Sequence, residues 1–298
     1  MTHSQLNVLT QINLNDLVSS FGWEDYPLLA SILRRLFIGP ARTFAQHMVD
    51  FDNATSRVGL SEAARQTLQA HYVKDVRVYG SEHLPANEPV LFLSNHPGMV
   101  DTLALFTAIN RPDLRIIALQ RPFLASLVNI SRQLSYISDD DNERIRTTRE
   151  ISSHLRRGGA ALTFPAGDIE PDPSVYNDAG DSLNKWADSA GVFIRFARET
   201  KIVPVLVSGV IWDKALRHFI TRLKRTRQER DKLATAIQAF PMMAFNARPT
   251  TVHVQFARPI KLEEIGSTET RAIHEVIIER MRGLLANKVQ DDDGVSAL

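Results

Sequence analysis

Hydrophobic positions near the start of the chain follow a helical rhythm. Leu28, Leu29, Ile32, Leu33, Leu36 and Phe37 recur at three- and four-residue spacing, with Arg34 and Arg35 on the opposite side. Gly39-Pro40 predicts an interruption, followed by a second amphipathic helix over 41–51. A third helix is expected over 61–72, with Ser61 as its N-cap. From about residue 75 the pattern changes to short β-branched runs alternating with helical ones. Strands are predicted over 76–78, 90–93, 114–119, 136–138, 160–164, 202–210 and 251–257. Helices are predicted over 96–109, 122–133, 142–157, 183–200 and 269–285, the third closed by Gly158-Gly159. Strands alternating with helices of this length require crossover connections. The expected fold is therefore α/β, a mixed, largely parallel sheet flanked by helices, with an N-terminal helical segment. The expected divisions are an amphipathic helical segment at 1–74, an α/β domain at 75–288 and a flexible tail at 289–298.

Composition narrows the chemistry. The 298 residues are 44% hydrophobic and 23% charged, which suits a large globular core rather than a disordered chain. There is no cysteine, so disulfides, thiolate metal sites and a cysteine nucleophile are excluded, and an intracellular location is expected. The start MTHSQLNVLTQINLND has no basic segment followed by an apolar core, so no secretory leader is expected. No run reaches the roughly 18 to 20 apolar residues that a bilayer span requires. The expected place is the cytoplasm, including the inner face of the membrane as a peripheral protein. A net charge of +1 argues against a uniformly basic surface. Locally, however, 214–232 gathers Lys214, Arg217, Arg222, Lys224, Arg225, Arg227, Arg230 and Lys232 among Leu216, Phe219, Ile220 and Leu223. Such a basic amphipathic helix suits anionic lipid, the phosphates of coenzyme A, an acidic carrier protein, or simply solvent. No aromatic platform or recognition motif accompanies it, so nucleic acid is not an expected partner. Phe21, Trp23 and Tyr26 add an aromatic group of the kind found at membrane interfaces.

The candidate chemistry lies in Val90-Leu-Phe-Leu-Ser-Asn-His-Pro-Gly-Met-Val-Asp101, a buried strand feeding a polar turn and then a helix. Side chains at the carboxyl edge of a strand in an open α/β sheet converge on a crevice. His96 sits in that turn. Asp101, five residues on, is placed to return to the imidazole, fix its tautomer and stabilise the imidazolium. Pro97 suits the first helical position, and Gly98 permits close approach to a ligand. Taken alone, a His-x4-Asp pair is more often a helix-start histidine satisfied by local hydrogen bonds.

Two further blocks follow in order: Phe164-Pro165-Ala166-Gly167 after a strand, and Ile202-Val203-Pro204-Val205 within another. With Asn95-His-Pro-Gly-Met-Val-Asp101 and the closing Val254-Gln-Phe-Ala-Arg-Pro-Ile260, they resemble the glycerolipid acyltransferases, which include glycerol-3-phosphate and lysophosphatidate acyltransferases. The resemblance covers roughly residues 75–265. It implies acyl transfer from a thioester of coenzyme A or acyl carrier protein to an acceptor hydroxyl, with His96 as base and Asp101 as its orienter. It also implies no metal and no cofactor beyond the thioester co-substrate. Asn95, Gly98, Arg121, Arg144, Phe164, Pro165, Gly167, Asp168 and Pro204 are the expected substrate-binding residues.

Two positions depart from the family pattern. Ala166 stands where the third block carries a Glu, and Asp168 and Glu170 are the nearby carboxylates, read either as substitutes or as solvated loop residues. Ser135-Tyr-Ile-Ser-Asp-Asp-Asp141 is acidic where the second block carries an Arg for the acceptor phosphate. Arg121 and Arg144 are the nearest alternatives, and Asp141 is the expected cap of the helix that follows. An acidic acceptor region disfavours a phosphorylated acceptor and points to a neutral or amine-bearing one. Two other functions share the same residues: a thioester hydrolase using the His-Asp pair, and a catalytically silent acyl-lipid binding protein.

Overall fold

The computed structural model describes residues 2–138, 140–287, 289 and 293–298. Asp139 of the acidic run and residues 290–292 of the expected tail lie outside them. Three helices lead the chain: α1 (Thr2–Phe21), α2 (Pro27–Val58) and α3 (Leu60–His71). The interruption expected at Gly39-Pro40 does not occur, because α2 continues through Pro40. A proline inside a helix costs about 3 kcal/mol. The same helix buries Leu33, Met48, Val49 and Phe51, each contributing about 1.5–3 kcal/mol. Packing outweighs the local break. Helix α3 starts one residue earlier than expected, behind Gly59, whose φ of 85° favours glycine; Ser61 is not its cap.

The sheet holds eight strands among the described residues: β1 (Asp75–Tyr79), β2 (Val90–Ser94), β3 (Leu114–Leu119), β4 (Leu134–Ile137), β5 (Ala160–Thr163), β6 (Lys201–Ser208), β7 (Thr251–Phe256) and β8 (Val295–Ser296). Their order is β4-β3-β5-β2-β6-β7-β1-β8. Strands β2 to β6 pair in parallel, β7 runs antiparallel to β6, β1 pairs parallel with β7, and β8 antiparallel with β1. The fold is the expected mixed, largely parallel sheet behind a helical segment. Successive side chains of β2 enter different cores. Val90 and Phe92 face a cluster shared with α1 to α3 and with α4 (Met99–Ile109). Leu91 and Leu93 face a second cluster beneath α6 (Asp141–Arg156), α7 (Ser189–Phe196) and α12 (Thr270–Ala286). Leu6, Leu9, Met48 and Val49 belong to the same cluster as Phe92 and Val203, so the N-terminal helices share the core of the sheet.

Several predicted helices are shorter or broken. The stretch 122–133 forms α5 (Pro122–Ala125) and a 3-10 turn (Ile130–Gln133). The stretch 183–200 forms a 3-10 turn (Ala179–Lys185) and then α7. The basic stretch 214–232 is not one helix. It divides into α8 (Asp213–Leu216), α9 (Phe219–Arg222) and the first turns of α10 (Arg227–Phe245), with α11 (Leu262–Ile265) following β7. Asp140, not Asp141, caps α6, accepting from the Glu143 N–H at 2.9 Å. The end of the chain is docked: Val295 pairs with Val78, and the Ala297 N–H donates to Val76 O at 2.9 Å.

Candidate active site

Strand β2 is fully buried at the centre of the sheet, and Ser94 is its last residue. Beyond it the Asn95 side chain continues the ladder. Its Nδ2 donates to Val207 O at 2.8 Å, and Val207 N–H donates to its Oδ1 at 2.7 Å. The chain then turns through His96-Pro97-Gly98 into α4, whose third residue is Asp101. The Asp101 side chain is fully buried. It accepts from the Gly98 N–H at 2.9 Å, the Thr102 hydroxyl at 2.9 Å and His96 Nδ1 at 2.9 Å. A carboxylate at a helix start also suits the helix dipole. With Nδ1 donating to Asp101, the Nε2 lone pair remains to accept a proton, and Nε2 makes no hydrogen bond among the described residues. The His96 side chain is 28% exposed and its ring lies 4.7 Å from that of Phe164. Burial opposes the imidazolium, but the charge and hydrogen bond of Asp101, with Glu170 and Asp168 behind them, outweigh it. His96 therefore titrates above the usual imidazole range.

Strand β5 leads into Phe164-Pro165-Ala166-Gly167, a turn closed by the Gly167 N–H on Phe164 O at 3.0 Å. Gly167 has φ +66°, which glycine adopts without the Cβ clash. Pro165 is buried and its carbonyl accepts from Ala187 N–H at 3.0 Å. Ala166 packs against the second cluster. Asp168 is exposed and accepts from Gln228 Nε2 of α10 at 2.7 Å. Glu170 is not a solvated loop residue: it is 2% exposed. Its Oε2 accepts from the His96 backbone N–H at 3.1 Å, and its Oε1 accepts from Ser182 Oγ at 2.9 Å and Trp186 Nε1 at 2.8 Å. Burial pushes the Glu170 carboxyl above the usual carboxylate range, against the pull of those donors. Asp172 is fully buried and accepts from the N–H groups of Gly209, Val210 and Ile211 at 3.0, 2.6 and 2.9 Å. Sequence reasoning did not identify Asp172, Ser182 or Trp186 as contributors. The only local signal was a run of acids at every second position, Asp168, Glu170 and Asp172.

Residues 75–208 match the family model described as Acyltransferase. This segment resembles that family. No curated protein matches the chain significantly. Among solved structures, the 1-acyl-sn-glycerophosphate (LPA) acyltransferase PlsC from Thermotoga maritima overlaps with a TM-score of 0.45 and 17% identity, covering 97% of this chain and 100% of that one.

Outside the matched segment, α1, α2 and α10 give the protein an apolar cavity of about 360 Å³. Leu17, Phe37, Phe44, Ala236 and Met243 line it, and Gly98, Val100, Ile169 and Val210 bring it against the turn that follows His96. At Gly98 a Cβ would lie 3.1 Å from Val210 Cγ1, so a side chain there would crowd this end. The other expected binding residues are not gathered here. Arg144 is exposed and paired with Asp141. Arg121 is exposed at the start of α5, where its charge acts on Asp16 of α1. Pro204 is buried in β6 opposite Leu93, with its carbonyl accepting from Ala257 N–H at 2.9 Å. The Asn95 amide is occupied on both sides by Val207. Among the described residues, no group of three or more His, Asp or Glu side chains is placed to hold a metal ion.

Proposed function

We propose that the protein transfers a fatty acyl group from a coenzyme A or acyl-carrier-protein thioester to an acceptor hydroxyl, with His96 as general base and Asp101 as its orienter. The observation that carries this reading is the buried Asp101 carboxylate fixing Nδ1 and leaving Nε2 available, on a turn whose Gly98 and Val100 line an apolar cavity. Nε2 takes the proton as the acceptor oxygen attacks the thioester carbonyl. The tetrahedral intermediate then collapses, breaking the carbon–sulfur bond, and the imidazolium returns its proton to the departing thiolate. Such proton transfer contributes about 10²- to 10⁴-fold. The cavity receives the acyl chain, at about 0.8 kcal/mol per buried methylene.

For the acceptor, the site supports a neutral or amine-bearing molecule. The charges acting on His96 are the carboxylates of Asp101, Glu170 and Asp168, while Arg144 is engaged by Asp141. A phosphorylated acceptor would meet repulsion there. The protein would work as a peripheral protein on an anionic membrane surface, at the inner face of the membrane. Leu28, Ile32 and Leu36, spaced by four along α2, are 82%, 57% and 67% exposed. Lys224 Nζ donates to Phe21 O at 2.7 Å, which brings exposed Phe219 and Leu223, with Arg222 and Arg225, to the end of the molecule where α2 begins. No helix among the described residues is long and apolar enough to cross a membrane.

The test is thioester consumption with and without candidate acceptors, on the parent and on His96→Ala. The expected outcome is acceptor-dependent turnover lowered about 10²- to 10⁴-fold by the substitution. Equal rates in the two proteins would sink the mechanism. Acceptor-independent release of free acid would make the protein a hydrolase, and ligand binding without turnover in the parent would make it a binding protein.

A further inference from the structure

His96 is held by two buried carboxylates, and the second, Glu170, enters the acyl-transfer reading only through its charge. Asp101 fixes the ring. Glu170 fixes the main chain: its Oε2 accepts from the His96 N–H, and its own N–H donates to His96 O at 2.8 Å, so the two residues are joined in both directions. Glu170 is itself held by Ser182 and Trp186, residues from an element that never approaches Asp101 in the chain. The single proton of the Ser182 hydroxyl is shared between Glu170 Oε1 and Ala179 O, 2.9 and 2.8 Å away, and Ala187, next to Trp186, donates its N–H to Pro165 O. A buried carboxylate surrounded by three donors, one of them the amide of the catalytic residue, is a rigid strut rather than a ligand for solvent or acceptor.

We infer that Glu170 is a positioning residue for His96: it sets the height of the imidazole over the reaction site from behind, through the backbone. This extends the reading of His96 as the base and rests on it. The role differs from the acceptor contact expected of a carboxylate in this region, since both Glu170 oxygens face protein donors. Glu170 also acts on the base through its charge, together with Asp101 from α4 and Asp168 from its own loop.

The hydrogen-bond pattern dictates the test. In Glu170→Gln one end of the amide must set its NH2 against a donor. If the carbonyl serves the His96 N–H, the NH2 meets the Trp186 indole N–H; in the opposite orientation it meets the His96 N–H. The expected result is kcat lowered about 10²-fold, the scale of an ångström-sized misplacement, with KM for the acyl donor little changed. The acid limb of the kcat/KM profile should move to lower pH, because one of the three carboxylates favouring imidazolium has lost its charge. The double variant E170Q/W186F removes the conflicting indole donor, so the amide can serve His96 with its carbonyl. It should recover at least about tenfold in kcat over E170Q, within the loss it reverses, while keeping the lowered acid limb. A merely structural role would not separate the two readouts.

Parental kcat and an unshifted limb in folded Glu170→Gln would overturn the proposal. If that variant does not fold, the double variant compared directly with the parent decides: near-parental kcat with a lowered limb supports the proposal, and a parental limb overturns it. Titration of the His96 imidazole by NMR, assigned against His96→Ala, gives the same answer without substrate. Including His96→Ala in the assay keeps the two levels distinct. If it retains parental turnover, the base assignment fails and this role with it; if it is inactive while Glu170→Gln is parental, only this role fails.

Discussion

At the scale of single residues, the site depends on which atoms Asp101 serves. Its carboxylate is fully buried and receives the His96 ring, the Gly98 amide and the Thr102 hydroxyl. In Asp101→Asn the side-chain NH2 must face at least one of these donors, and the charge that favours imidazolium is lost. The expected outcome is kcat lowered about 10²- to 10⁴-fold. The sign for pH follows from the raised His96 titration: as the proposed base, His96 would act above that point, so removing a carboxylate should move the acid limb of the rate profile to lower pH. A rate-against-pH series on the two proteins checks both. His96 and Asp101 were legible because their chemistry lies within six residues. Glu170 was not, because its partners are 74 residues upstream and 12 to 16 residues downstream in the chain.

At the scale of elements, breaks in the predicted helices coincide with backbone groups taken by distant carboxylates or turns. Asn129 and Ile130 donate their N–H groups to buried Asp52 at 2.8 and 2.9 Å rather than to carbonyls four residues back, which ends the helix expected over 122–133. Trp186 leaves the helix expected over 183–200 so that its indole reaches Glu170. Thr226 and Glu229 form a capping box that starts α10 afresh within the basic stretch. That Thr-x-x-Glu signal was readable but lay under the charge pattern. Helix α10 then lines the cavity with Ala236, Ala239 and Met243. Ala236→Phe should shorten the space for the acyl chain. Preference should move toward shorter donors by about fourfold in kcat/KM per displaced methylene, the equivalent of about 0.8 kcal/mol. A series of acyl thioesters of increasing length measures it, and an unchanged length profile would place the acyl chain elsewhere.

At the scale of the whole molecule, the N-terminal helices do two things at once. Their inner face closes the core and the cavity, while Leu28, Ile32 and Leu36 leave an apolar outer face on α2. Replacing these three by serine should weaken partition onto anionic phospholipid vesicles and leave turnover of water-soluble substrates intact. Half-burial of three such side chains is worth about 2–4 kcal/mol, roughly a 30- to 1,000-fold change. Sedimentation with anionic and with neutral vesicles gives the comparison; unaltered binding would assign docking to another surface. Raising the salt concentration should weaken whatever part depends on Arg222, Lys224 and Arg225.

By itself the sequence determined the class of fold and the location of the His-Asp pair. Alternating β-branched runs and amphipathic stretches are local patterns, and a strand, a turn and a helix start are enough to bring a histidine and an aspartate together. The tertiary structure decided what these residues rest on. It made Asn95 a bridge to Val207, turned Glu170 from a loop acid into a buried strut, left Arg144 with Asp141, and joined α1, α2 and α10 around one cavity. Each of these outcomes depends on burial and on donors from distant parts of the chain. Local periodicity carries no information about which buried donor a carboxylate or an amide will meet.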